Sequence, residues 1–460
     1  MINYEQVRRY HLENRKRPSP SRSSQILVIG FAAIILVGTV LLMLPVASAG
    51  PEPVSWDVAL FTSTSATTVT GLVVVNTHDT YSVFGEVVIL ILMQVGGVGF
   101  IVLSIVLFRL IGRRVSLYER NLLRQNLGVE EEQGIVQLAR HVLRYTLIIE
   151  FIGAVILFSQ WVQTMAWPTA AYFAIFHSVS AFCNAGFDLF QSFEDPALIA
   201  ARNNPISILT FSALIFVGSL GIAVVYDLIL FRRERHLSLH TRLVLPFSLI
   251  LVVLGTVLIL IDEAFVDGHA LSEFPVAERI WLAYFISVAS RTAGTTLVPM
   301  ADLGQASQLV VLLWMFVGGA PASMAGGVGL STVAVVLITL GSNVRGYDDV
   351  RILNRTIPVE TIFKAVAVIT VSSLLVVGLT LVLTLLSQGD TFVIAFEVIS
   401  AFANTGFTLN FTDKLNLAGR LIIVFTMFWG RLGPLTLVVA LAQRHRPTLV
   451  RYPEEKIIIG

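Results

Sequence analysis

Ser180-Ala181-Phe182-Cys183-Asn184-Ala185-Gly186-Phe187 returns almost unchanged as Ser400-Ala401-Phe402-Ala403-Asn404-Thr405-Gly406-Phe407. Two further clusters share its ending, Thr68-Val69-Thr70-Gly71-Leu72 and Arg291-Thr292-Ala293-Gly294-Thr295. Gly71, Gly186, Gly294 and Gly406 are 115, 108 and 112 residues apart, so the chain repeats itself four times. Each cluster closes a short apolar segment: 56–67, 171–183, 279–290 or 391–402. A helix of that length cannot cross a hydrocarbon core of about 30 Å, so these segments read as re-entrant.

On either side of each short segment lies a longer apolar stretch. They run 25–47, 82–110, 143–162, 206–231, 243–263, 307–340, 362–386 and 419–442. Of 460 residues, 55% are hydrophobic and only 13% charged, with a mean hydropathy of +0.80. Soluble domains carry about 25% charged residues, so a water-soluble fold is excluded. One cysteine, Cys183, leaves no intrachain disulfide and no cysteine metal site. The reading is an all-α integral membrane protein of eight full transmembrane helices. Each of its four units comprises a span, a short helix, a glycine loop and a span. They occupy 25–125, 140–236, 241–345 and 360–446, between a basic tail (1–24) and a C-terminal tail (447–460).

Charge sets the expected orientation. Arg113, Arg114, Arg120, Arg124, Arg232, Arg233, Arg235, Arg345, Arg351, Arg355, Arg444, Arg446 and Arg451 follow successive pairs of spans. The opposite loops hold Asp57, Asp79, Asp188, Glu194, Asp262, Glu263 and Asp390. Arginine-rich loops stay inside, so both termini are expected in the cytoplasm of a cell (inner) membrane protein. An even number of crossings gives all units one orientation, which closes them into a ring about the membrane normal. Inverted-repeat carriers need an odd number.

Four convergent glycine loops have a chemistry. Glycine adopts positive φ at no steric cost and lets successive carbonyls point one way. Backbone carbonyls from four strands can replace the hydration shell of a cation. The short helices aim C-termini of roughly −0.5 charge each at the axis. The loops hold no Asp or Glu, which argues against a carboxylate filter for divalent ions. One such glycine reads as a helix C-cap; four in register read as a filter. The stretch 318–329 carries Pro321 and five glycines. Proline disfavours a helix interior by about 3 kcal/mol, so the stretch reads as a break rather than a small-residue packing face.

At these motifs the sequence resembles the Trk/Ktr/HKT superfamily of potassium transporters, over residues 25–460. Its length and span count resemble the KtrB type of the KtrB/TrkH membrane subunits. The resemblance implies a potassium-channel-like ring around one central pore, here conducting potassium into the cell. It implies ion-coordinating backbone oxygens from Val69, Thr70 and Gly71; Asn184, Ala185 and Gly186; Thr292, Ala293 and Gly294; and Asn404, Thr405 and Gly406. It also implies a gate in the broken third outer span: Gly318, Gly319, Ala320, Pro321, Ala322, Ser323, Met324, Ala325, Gly326, Gly327 and Gly329. Relatives usually carry lysine where Gly329 stands and Phe where Thr295 stands. A homodimer, a cytoplasmic KtrA/TrkA-type nucleotide-binding ring and sodium dependence are implied as well. Potassium, and sodium with it, are the expected ions; no organic cofactor and no nucleic acid are expected, and membrane lipid is the surrounding partner.

Arg431, near the centre of 419–442, reads as the clear mid-membrane charge and as part of the gate, facing the unwound carbonyls of 318–329. Glu150 reads as an interfacial residue. His177 and Cys183 read as packed side chains, and Glu130-Glu131-Glu132 as a solvated helix start. Two other functions compete. A coupled carrier for another small solute would place an ionisable pair at mid-membrane. An intramembrane enzyme would need paired His, Asp or Glu, or a Ser–His arrangement, inside the spans; the sequence offers neither, so no enzymatic activity is expected.

Overall fold

The computed structural model describes residues 20–99, 102, 135–190, 204–265, 270–347 and 349–433. Residues 1–19 of the basic tail, the 113–124 arginines, Glu130–Glu132, Glu194 and the C-terminal tail lie outside them, as do the ends of spans 82–110 and 419–442.

The first unit holds α1 (Pro20–Leu42), α2 (Trp56–Thr67) and α3 (Val83–Val98). The second holds α4 (Ile135–Trp161), α5 (Trp167–Phe182), α6 (Pro205–Ser219) and α7 (Ile222–Glu234). The third holds α8 (Leu239–Phe265), α9 (Val276–Ala289), α10 (Gln305–Val317) and α11 (Leu330–Val344). The fourth holds α12 (Val359–Leu386), α13 (Thr391–Phe402) and α14 (Leu417–Leu432). One departure from an all-helical chain is a hairpin, β1 (Arg351–Ile352) against β2 (Arg355–Thr356). Its turn residues Leu353 and Asn354 both have positive φ, as a two-residue hairpin turn requires.

α4, α8 and α12 are long and apolar enough to cross a membrane. Their outward faces expose Phe151, Ile152, Val253, Val257, Leu374, Val377, Leu381 and Leu385. Such apolar stripes suit hydrocarbon, not water. The second helix of every unit is shorter than the sequence suggests. α3 stops at Gly99, α6 at Leu220–Gly221, α10 at Gly318 and α14 at Gly433. Gly99, Gly221, Gly318 and Gly433 all have φ between 72° and 87°, a region that ends an α-helix. Past Gly221 the chain turns by 107° into α7.

The short helices α2, α5, α9 and α13 sit inside. Each packs on both helices of its own unit and on the second helix of the unit before: α5 on α3, α9 on α6, α13 on α10. For α2 the preceding helix is α14, so the packing closes on itself. An ion pair spans that closure, Asp57 of α2 with Arg420 of α14 at 2.7 Å. Three units share one polar stitch. Ser63, Ser178 and Ser287 on the short helices donate to Ile35, Glu150 and Val252 carbonyls of the first spans.

Close approach explains the glycines beside the short helices. A Cβ at Gly96, Gly218 or Gly430 would meet the carbonyl oxygen of Thr67, Phe182 or Phe402 respectively, within 3.0 Å. A Cβ at Gly378 on α12 meets nothing within 4 Å. Gly218→Ala is expected to destabilise by about 1–3 kcal/mol through overpacking. Gly378→Ala is expected to be neutral or to stabilise by roughly 0.5–1 kcal/mol. Thermal unfolding of the purified variants in detergent checks this; equal midpoints would contradict the packing.

Candidate ion-conduction site

The four loops that follow the short helices share one backbone pattern. Val69, Asn184, Thr292 and Asn404 have φ of 53°, 56°, 129° and 51°. Two residues on, Gly71, Gly186, Gly294 and Gly406 have φ of 85°, 69°, 61° and 95°. The residue between, Thr70, Ala185, Ala293 or Thr405, is not in the positive region. Alternating hands along a strand turn successive carbonyls to one side. Positive φ on a branched residue such as Val69 or Thr292 is strained by about 1–3 kcal/mol and persists only where surroundings enforce it.

The surroundings are visible in the amide partners. Thr70 N donates to Ser65 O at 2.8 Å, Ala185 N to Ser180 O at 2.8 Å and Thr405 N to Ser400 O at 2.9 Å. Gly71 N donates to Ser65 Oγ at 3.0 Å and Gly406 N to Ser400 Oγ at 3.1 Å. Asn404 Nδ2 donates to Met427 O on α14 and to Thr70 Oγ1 in the neighbouring loop, both at 2.9 Å. These amides thus point back into protein.

Each filter-position glycine lies against the carbonyl of the next loop. A Cβ on Gly71 would meet Ala185 O; on Gly186, Ala293 O; on Gly294, Thr405 O; on Gly406, Thr70 O. Every one of these contacts is under 3.0 Å, and together they run once around a closed ring. All twelve loop residues singled out from the sequence therefore come together. Ten of the twelve are buried, and Gly294 and Gly406 are partly buried.

Below one end of the ring, residues 318–329 leave helical geometry. Gly318, Ala322, Gly327 and Gly329 have positive φ. The loop is stitched to carbonyls that the α6 break sets free: Ala320 N to Ser219 O at 2.9 Å and Met324 N to Gly218 O at 3.1 Å. From the other side Arg431 Nη1 donates to Met324 O at 2.7 Å, while Nη2 reaches Gly96 O at 2.6 Å and Gly97 O at 3.3 Å. One guanidinium thus joins the first, third and fourth units. A small pocket of about 40 Å³ adjoins the loop, lined by Tyr145, Ile149, Val217, Tyr226, Ser323 and Met324.

The structure adds groups that sequence reasoning missed. Glu150 is not interfacial: α4 begins at Ile135, so Glu150 lies midway along it and is 5% exposed. Its carboxylate accepts from Gln94 Nε2 at 3.2 Å and from Cys183 Sγ at 3.8 Å. Arg291, at the end of α9, is 1% exposed. It donates to Ser219 Oγ at 2.6 Å and Ser248 O at 3.2 Å, and lies 5.4 Å from the Phe216 ring centroid. Arg431 is therefore not the sole charge at depth. Arginine at the end of a short apolar helix was the available signal for Arg291; nothing local marks Glu150.

The family described as TrkH, cation transport protein, matches residues 2–450. Ktr system potassium uptake protein B of Bacillus subtilis is 36% identical, covering 95% of this chain and 96% of its own. Potassium/sodium uptake protein NtpJ of Enterococcus hirae is 34% identical, covering 97% and 98%. The crystal structure of the potassium transporter TrkH from Vibrio parahaemolyticus superposes with a TM-score of 0.72 at 19% identity, covering 95% of this chain and 87% of that one. The chain belongs to the TrkH family of cation transport proteins.

Proposed function

We propose that this chain takes up potassium through the ring of four glycine loops. The observation that carries the reading is the cyclic contact of each glycine with the next loop's carbonyl. Oxygens so arranged suit a monovalent ion that must shed water, and four helix C-termini add about −2 of charge without an ionised side chain. Val69, Thr70, Gly71, Asn184, Ala185, Gly186, Thr292, Ala293, Gly294, Asn404, Thr405 and Gly406 supply the backbone oxygens. The relatives named for potassium uptake support the ion, and the potassium/sodium uptake relative motivates a sodium requirement.

Residues 318–329 are the gate and Arg431 its latch. The Met324 carbonyl is held by Arg431, and the amides of Ala320 and Met324 by the broken end of α6. Eight crossings, four units and cytoplasmic termini follow from the arginine pattern and the even crossings per unit. A homodimer bearing a KtrA/TrkA-type nucleotide-binding ring agrees with relatives named as part of a Ktr system.

A second reading has one observation in its favour. Glu150 and Arg431 are both ionisable and both lie near Cys183 and Gly97 inside the bundle. A cation-coupled carrier for another small solute would use such a pair. Uptake of labelled potassium against other solutes in proteoliposomes separates the two.

Gly71→Ser and Gly294→Ser force a Cβ against a carbonyl at positive φ. Strain of about 1–3 kcal/mol corresponds to roughly 5- to 100-fold weaker apparent potassium affinity, with poorer rejection of sodium. Rubidium uptake with sodium competition measures both, and unchanged kinetics would sink the filter. Arg431→Gln removes a charge whose repulsion of an ion ~6 Å away is roughly 3 kcal/mol at an effective dielectric of 20. Faster maximal uptake at unaltered affinity is expected. Equal or slower flux in folded protein would leave Arg431 a structural tie.

A further inference from the structure

His177 stands nine residues before Gly186, and Asp188 two after it. Glu397 and Thr408 stand at the same offsets from Gly406. In both units these positions are joined. His177 Nε2 lies 2.9 Å from Asp188 Oδ1, and Glu397 Oε2 accepts from Thr408 Oγ1 at 2.8 Å. The pairs differ in chemistry and agree in geometry: a side chain on the short helix grips the strand just beyond the filter glycine.

The first grip is buried, and the second is buried on its Glu397 side and partly buried at Thr408. His177 and Asp188 are 1% and 3% exposed, and Glu397 has no exposure. His177 Nδ1 faces Phe173 O at 2.8 Å, so that nitrogen carries a proton. Leu189 N donates to the same Nε2 at 3.3 Å. Trp161, Phe173 and Phe190 enclose the imidazole. Phe190 N donates to Asp188 Oδ1 at 2.8 Å, which extends the grip two residues along the strand. Among the described residues Asp188 Oδ2 has no hydrogen-bond partner. A carboxylate buried with one oxygen unserved is unfavourable unless the other oxygen has a task. Glu397 carries its second oxygen to Thr412, whose hydroxyl also touches Thr408.

The other two units have no such grip among the described residues. Their equivalent positions are Thr62 with Val73, and Phe285 with Thr296. Thr62 accepts instead from Tyr81 Oη at 3.0 Å, and Thr296 turns onto its own backbone at Val298. Around the ring the order of contact is first, second, third, fourth. The strands gripped at these offsets, second and fourth, are thus diagonal partners, and so are the first and third.

We propose that His177–Asp188 and Glu397–Thr408 are positioning pairs. They hold two opposed filter strands at fixed separation, and this sets the preference for potassium over a smaller cation. The proposal rests on the filter reading above. A small ion gains by drawing carbonyls inward, and a strand anchored to its helix resists that collapse. None of the four side chains needs to touch the ion.

The two pairs allow an exchange test within one protein. His177→Glu sets two carboxyl groups face to face, and Asp188→Thr leaves imidazole opposite a hydroxyl. The double variant rebuilds the fourth unit's pair in the second, where the sequence also offers a hydroxyl, Ser192, at the offset of Thr412. Thr408→Val removes one donor at nearly constant shape, and Tyr81→Phe serves as a control in an ungripped unit. The readout is the ratio of potassium to sodium apparent affinity in proteoliposomes. Each single change and Thr408→Val should lower the ratio roughly tenfold to a hundredfold. The double variant should recover it to within about threefold, and Tyr81→Phe should keep it. The proposal is overturned if Thr408→Val and Asp188→Thr keep the original ratio, or if the double variant discriminates no better than its singles. Gly71→Ser run alongside separates the layers. If it shifts the ratio and the pair variants do not, the filter stands and the grips are packing. If none shifts it, the filter reading falls.

Discussion

A backbone carbonyl or amide at membrane depth has no water to turn to and must find a partner inside the protein. Every unusual feature of this chain answers that constraint. The short helices end inside the bundle, and the last carbonyls of three of them, Thr67 O, Phe182 O and Phe402 O, lie against Gly96, Gly218 and Gly430 of the second spans. The second helices break at glycines, and the carbonyls released at Gly218 and Ser219 receive the amides of the 318–329 loop. That loop in turn leaves Met324 O open, and Arg431 fills it together with Gly96 O and Gly97 O. Unwound backbone is kept where it is by unwound backbone elsewhere.

This reciprocity also connects distant loops. Arg291, just past the third short helix, binds Ser219 Oγ, while Ser219 O receives Ala320 N. The third filter loop and the intramembrane loop therefore share one serine. Gly326 lies against Ala403 O and Asn404 Oδ1 of the fourth loop, close enough that a Cβ would collide. Ring and loop are one packed body, and movement of either is felt at their contact surface.

Much of this was legible in the sequence. The period set by Gly71, Gly186, Gly294 and Gly406 locates all four loops, because a tight ring of backbone tolerates no Cβ at that position. The short segments were placed within a few residues, since their length alone bars them from crossing. Arg431 was readable because a lone guanidinium in an apolar run must find carbonyls. Other features were not legible. Glu150 looked interfacial because hydropathy starts a span where charge ends, whereas α4 begins a further two turns earlier, among Arg140, His141 and Arg144. The stops at Gly99 and Gly433 were hidden because apolar residues continue past both. His177 with Asp188, and Glu397 with Thr408, show themselves only when units are aligned on the filter glycine, since each pair alone resembles ordinary loop polarity. The β1–β2 hairpin is too short to leave a period.

Joining the four quadrants in one polypeptide has a consequence for stoichiometry. A ring assembled from four identical chains must repeat every side chain four times. Four guanidinium groups at the level of Arg431 would crowd one narrow passage with like charge, and four copies of 318–329 would compete for the same volume. A fused chain escapes that arithmetic: among the described residues Arg431 sits in the fourth unit and residues 318–329 and Arg291 in the third, while the glycine ring runs through all four. Symmetry is kept in the backbone ring and relinquished in the side chains around it.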